Sequence, residues 1–262
     1  MTRDLPRIFV INLAGDTGRR DIMRVRLNAA RVNYEFFEAV NGRAFDMATT
    51  PFYDRARRRA AFGRDMIPAE MGCLLSHRGI FEKMDRENIP AAVVLEDDVI
   101  FEPEFADVLN ALMTTTRKWD VIRFVGSAKI YKRGCRKIAP LFDKYWMARL
   151  PTAPGGAHGY LLTLKAARVM LKHMQMNWMP IDTLQGRTWE TGLETLVVYP
   201  APLRIDQEVE TTIGDARFDK TITLEGWPRK MFFLTRGWFK LNETLGKKWT
   251  YLASWPRDRC HR

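Results

Sequence analysis

Ala91-Ala92-Val93-Val94-Leu95-Glu96-Asp97-Asp98-Val99 is an apolar run that stops abruptly at three consecutive carboxylates. A short run of apolar residues bounded in this way reads as a buried strand. Alternate side chains of a strand share a face, so Glu96 and Asp98 are expected to project together and Asp97 elsewhere. Three adjacent carboxylates repel one another unless a cation or a set of donors compensates them. Their expected place is the carboxyl end of a parallel sheet, where open α/β folds bind ligands. A divalent cation, Mn²⁺ or Mg²⁺, held there by one or two carboxylates and by substrate phosphates would neutralise charge on a leaving diphosphate. The alternative is a solvated acidic turn.

Outward from this stretch, strands and helices alternate. Residues 7–13 (RIFVINL) read as a buried strand, followed by a turn at Gly15-Asp16 and a helix over 17–30 with Ile22, Val25 and Leu27 on its apolar face. Residues 34–37 suggest a second strand, and 43–68, with the run Arg57-Arg58-Arg59, an irregular excursion. Pro68 opens a helix to about residue 88. A further helix is expected over 103–115, a strand over 120–125, hairpins or a loop over 127–150, and a strand into a helix over 155–174. A short helix at 182–184 and a strand at 196–199 complete the series. The pattern predicts an α/β fold with a mostly parallel central sheet flanked by helices.

The bulk properties narrow the function. The 262 residues are 46% apolar and 28% charged, enough for one large domain with its own core. Cys73, Cys135 and Cys260 are too scattered for a disulfide framework or a CxxC metal site. The first residues carry no long apolar stretch, so no signal peptide is expected. No run reaches the roughly 18 apolar residues that would span a bilayer. The net charge of +11 is uneven, because residues 227–262 hold nine Lys/Arg against two Asp/Glu. The chain therefore divides into a domain over 1–226 and a basic, Trp-rich helical extension over 227–262. Within the extension, Leu234, Trp238, Leu241, Leu245, Trp249 and Leu252 recur at helical spacing, and Trp227, Trp238 and Trp249 stand 11 apart. Such a stripe either packs on the domain or lies in an anionic membrane surface. No nucleic-acid-binding motif is visible, and the nearly balanced body argues against that partner.

Several segments, taken in order, resemble glycosyltransferase family 25, the lipooligosaccharide galactosyltransferase group. They are Val10-Ile11-Asn12-Leu13 with Arg19-Arg20, Phe37-Glu38-Ala39-Val40-Asn41-Gly42, Glu70-Met71-Gly72-Cys73-Leu74-Leu75-Ser76-His77, and Leu95-Glu96-Asp97-Asp98-Val99. Gly159-Tyr160-Leu161, Pro180-Ile181-Asp182 and the Pro200/Pro202 to Gln207 stretch follow. Ala14-Gly15 stands where the family usually has an acidic residue after the Asn-Leu pair. The resemblance spans about residues 7–213 and implies a GT-A-like fold. It also implies a nucleotide-sugar donor, with UDP-galactose or UDP-glucose favoured, inversion at the anomeric carbon and a lipid-linked glycan acceptor such as lipid A core. The setting it implies is the cytoplasmic, inner face of a bacterial inner membrane.

On this reading the donor meets Asn12, Leu13, Arg19, Arg20, Glu70, Ser76, His77, Glu96 and Asp97. Asn12 would bond the base or ribose, and one of Arg19 and Arg20 the diphosphate, because adjacent helical residues diverge by about 100°. His77 is either a ligand contact or a buried structural histidine, and Cys73 packs in the core. The metal candidates are Glu96, Asp98 and His158, the last following Gly155-Gly156. Asp182 is the expected general base, with a metal role as its rival, and Glu190 the reserve. A metal-dependent phosphatase or nucleotidyl hydrolase would use the same acidic cluster, but the usual second set of metal ligands is not evident. A non-enzymatic protein binding anionic lipid through the tail is the remaining alternative.

Overall fold

The computed structural model describes residues 5–124, 131, 134–152, 154–206 and 221–259. Its centre is an eight-stranded sheet in the order β2-β1-β3-β8-β5-β9-β7-β6. The strands are β1 (Arg7–Asn12), β2 (Glu35–Glu38), β3 (Ala91–Glu96), β5 (Val121–Arg123), β6 (Arg136–Phe142), β7 (Tyr145–Arg149), β8 (Gly159–Thr163) and β9 (Thr195–Tyr199). β1 runs parallel to both β2 and β3, and β5 parallel to β9. β8 lies antiparallel between β3 and β5, and the β6–β7 hairpin closes one edge, so the sheet is mixed.

Both faces of the sheet are covered, which is why its central strands read as continuous apolar runs. Phe9 and Ile11 of β1, with Ala92 and Val94 of β3, join one core, and Ile8, Val10, Val93 and Leu95 join the other. Helices α3 (Pro68–Arg86) and α5 (Leu164–His173) pack in the first core. Helices α1 (Thr17–Ala29) and α4 (Phe105–Thr114) pack in the second. α1 buries Met23 and Leu27, whereas Ile22 and Val25 are exposed, which corrects the expected face. Met23 and Leu27 are four apart and stack on one side, while Val25 points about 160° away from Leu27.

The expected excursion at 43–68 contains α2 (Arg55–Phe62). Its pattern is hard to see because a buried position is an arginine: Arg58 stacks on Phe62 at 4.0 Å and pairs with Glu70 at 3.4 Å. A two-stranded sheet of β4 (Val99–Phe101) and β10 (Leu203–Ile205) was also not expected. Two short helices follow β8 and α5, namely α6 (Ile181–Gln185) and α7 (Thr188–Thr191). The basic extension forms α8 (Gly226–Ala253) and α9 (Trp255–Arg259). α8 lies on α2 and α7, with Phe239 buried between Phe62 and Trp178 at ring distances of 5.2 and 5.7 Å. Gly246 permits this approach, since a Cβ there would fall 2.4 Å from the Trp189 ring. Asp258 of α9 is buried among Arg117, Arg136 and Arg149 at 2.7–3.0 Å.

Candidate functional site

Parallel pairing of β1 with β3 places Ile11 opposite Glu96, so both strands run out at the same edge. There a cleft of about 130 Å³ is lined by Asn12, Leu13, Arg19, Glu96, Asp98 and His158, among others. β3 ends at Glu96, and Asp97 and Asp98 already belong to a turn. The strand alternation therefore does not carry past Glu96, yet the carboxylates divide as expected for a different reason. Asp97 turns toward β1 and α1, where it accepts a 2.7 Å hydrogen bond from Asn12 Nδ2 and pairs with Arg19. Glu96 and Asp98 both meet His158 Nδ1, at 2.9 and 3.1 Å.

His158 is held there by the backbone, because its carbonyl accepts from Glu96 N at 2.9 Å where β8 pairs with β3. Burial alone would push the imidazole pKa down, but the Glu96 charge and the hydrogen bonds to Asp98 and Glu96 bring it up to about 10. It is an imidazolium at neutral pH. Burial would likewise raise Glu96, and His158 and His77 instead hold it well below the usual carboxylate range. Burial raises Asp97, with Asn12 and Arg19 opposing. The three carboxylates thus do not simply repel: cationic and donor groups are interleaved among them.

The opposite wall is α3 and the segment before it. Ser76 Oγ accepts from Val40 N at 2.9 Å and donates to Gly72 O at 2.7 Å, tying the wall to the helix. A Cβ at Gly72 would sit 2.6 Å from Val40 O and Gly42 N, so only glycine allows this contact. His77 is fully buried, with Nδ1 2.8 Å from Tyr160 Oη and Nε2 3.5 Å from Glu96 Oε1. Cys73 packs against the core as expected and also lines the cleft, with Sγ 3.9 Å from Glu96 Oε1. Tyr160 and Cys73 as neighbours of the acidic group were missed, although both fall within the quoted segments. Nothing local in their spacing points to Glu96.

Other candidates stand elsewhere. Of the two arginines, Arg19 reaches the cleft and Arg20 stacks on Phe36 at 4.9 Å. Glu70 caps α3 by accepting from Ile67 N at 3.2 Å and also pairs with Arg58. Glu190 is held by Arg187 through two hydrogen bonds of 2.6 and 2.7 Å, away from the cleft. Asp182 accepts from Gly156 N at 2.9 Å and Thr183 N at 2.7 Å. It lines a second pocket with Pro154, Thr183, Glu243 and Lys247, and its bond to Gly156 N ties it to the loop that carries His158. Gln207 lies outside the described residues.

The Glu96, Asp98 and His158 ligand atoms lie within 4.8 Å of one another, a set that fits one divalent cation. Two carboxylates and an imidazole suit Mn²⁺ or Mg²⁺ in the presence of phosphate oxygens. The proton now shared around His158 Nδ1 would have to leave for that nitrogen to be a ligand. Asn12 Oδ1 is buried without a hydrogen-bond partner among the described residues, an acceptor suited to a ligand N–H or O–H.

Residues 5–185 match glycosyltransferase family 25 (LPS biosynthesis protein), and the chain belongs to that family. A glycosyltransferase 25 family member of Anopheles gambiae is 29% identical over 68% of this chain and 31% of its own length. Procollagen galactosyltransferase 1-A of Xenopus laevis is 26% identical over 67% of this chain and 30% of its length. Procollagen galactosyltransferase 1 of Danio rerio is 25% identical over 85% of this chain and 41% of its length. The chain therefore spans 30 to 41% of the length of these relatives.

Proposed function

We propose that the chain transfers galactose, with glucose as the second choice, from a uridine diphosphate sugar to a lipid-linked glycan at a membrane surface. The observation that supports this most is the convergence of Asn12, Arg19, Glu96, Asp98 and His158 on one cleft. The galactosyltransferase relatives favour the sugar, and the LPS biosynthesis of the family description favours the lipid-linked acceptor over the procollagen named for those relatives. Asn12 Oδ1 receives a hydrogen bond from the uridine, and Arg19, held by Asp97 beside the cleft, faces the diphosphate. Glu96, Asp98 and a deprotonated His158 would hold a divalent cation, which would supply compensation for charge on the departing diphosphate. Asp182, fixed by two backbone N–H groups, takes the proton of the acceptor hydroxyl and sets inversion.

The test is a thermal-shift panel of nucleotide sugars with and without Mn²⁺, followed by release of UDP in the presence of an acceptor. Donor binding to the folded state raises Tm, by about 2.7 kcal/mol of stabilisation at one hundred times Kd. If no nucleotide sugar shifts Tm and no UDP is released, the proposal fails.

A further inference from the structure

The fold leaves one face of α8 uncovered. At about 100° per residue, the groups that pack (Thr235, Phe239, Glu243, Gly246 and Thr250) lie on one side of the helix. Thr235 donates to Ala60 O at 2.8 Å and Arg236 to Ala61 O at 2.6 Å, so the register of the helix is set by this side. The stripe centred about 120° away carries three tryptophans and four leucines, from Trp227 to Leu252. Every one is at least 50% exposed, and Trp227, Trp238 and Trp249 are 70, 68 and 71% exposed. The sequence left two uses for this stripe, and packing on the domain is not the one the fold makes of it. A stripe extending roughly 38 Å along the helix is far larger than the scattered apolar residues of an ordinary surface.

Charge decides what covers it. Lys230 and Lys248 border the stripe near its two ends, both exposed and neither paired with a carboxylate among the described residues. The acidic residue of the helix, Glu243, sits on the packed side between Lys240 and Lys247 at 2.7 Å from each. A second copy laid along the stripe would bring Lys230 against Lys248 or against itself, with no acid on that face to compensate. An anionic bilayer supplies the missing negative charge, an apolar layer for leucines and an interfacial zone for tryptophan rings. No helix of the described residues is long and apolar enough to cross a membrane.

We infer that the exposed Trp-Leu face of α8 is a docking surface for an anionic lipid bilayer, with the helix lying in the plane of the interface. Asp182 shares a pocket with Glu243 and Lys247 on the opposite side of the same helix. Docking would hold that pocket about one helix diameter, some 10 Å, above the lipid. That consequence rests on the transfer reading; the docking itself does not.

The experiment uses the full chain with phosphatidylcholine vesicles, with or without phosphatidylglycerol. Co-sedimentation is expected only with phosphatidylglycerol and is released at about 1 M salt, where exposed charges are screened. Tryptophan emission is expected to shift to the blue and to be quenched by brominated lipid, a readout that needs no variant. The Lys230→Gln/Lys248→Gln pair is expected to weaken binding about fivefold per lysine. Trp238→Ser/Trp249→Ser is expected to abolish binding at an unchanged melting temperature. The inference is overturned by failure to bind phosphatidylglycerol vesicles. Unchanged binding by both double variants overturns it too, as does a dimer without vesicle binding that the tryptophan variant converts to monomer. None of these readouts depends on catalysis.

Discussion

Replacing Asp258 with Asn tests whether the basic extension is locked to the domain by a buried ionic cluster. The carboxylate receives Arg117 at 2.8 Å, Arg136 at 2.7 Å, and Arg149 through two nitrogens at 2.8 and 3.0 Å. Glu194 is the other carboxylate of the cluster, pairing with Arg149 and lying 3.5 Å from Arg117 and Arg257. Asparagine keeps the shape and removes the charge, leaving three confined guanidinium groups with Glu194. Breaking a buried pair from one side costs about 3–5 kcal/mol. At about 2 °C per kcal/mol for a chain of this size, the melting temperature falls by about 6–10 °C. Burial would raise the Asp258 pKa, but the Arg149 hydrogen bond and the nearby guanidinium charges lower it below its ordinary 3.8. A depressed carboxylate pKa contributes stability above the unfolded value and loses it as pH falls through the folded one. The gap between wild type and Asp258→Asn should therefore be full above pH 3.8 and close below it. Circular-dichroism melts from pH 3 to 7 check both points. A shift under about 2 °C at neutral pH, or a gap that does not close in acid, refutes the reasoning.

Three further outcomes are expected. Gly237→Ala, where a Cβ meets nothing within 4 Å, should stabilise by about 1 kcal/mol, whereas Gly246→Ala, 2.4 Å from the Trp189 ring, should destabilise; urea denaturation separates them. Asp182→Asn should lower kcat by about 10²–10⁴ with donor affinity retained, and lost donor affinity with intact single-turnover chemistry would remove its role as base. Asp98→Ala should abolish Mn²⁺-dependent transfer and also lower the melting temperature, because His158 loses a partner; wild-type turnover at saturating donor would contradict the cation assignment.

What was legible in the sequence is what local periodicity encodes. The apolar runs at residues 7–13 and 91–95 marked strands buried on both faces, and the carboxylates after Leu95 marked the sheet edge that carries the cleft. The divergence of neighbouring helical residues implied that only one of Arg19 and Arg20 would face the cleft. The one-sided stripe of the last long helix was equally plain, but not whether it faced protein or solvent. That depended on Phe239 and Gly246 finding Phe62, Trp178 and Trp189, which lie between about 50 and 180 residues away. The same distance effect hid α2, whose buried Arg58 needs Glu70 to be tolerated. Glu190, by contrast, is held by Arg187 only three residues before it, a local pairing that spacing alone allowed but did not require. Only the register of β3 against β8 brings His158 between Glu96 and Asp98, and only β1 beside β3 gives Asp97 to Asn12 and Arg19. Periodicity states which way a side chain points along its own element. Charge pairing across the sheet is decided by which strands become neighbours, and that is a property of the assembled fold.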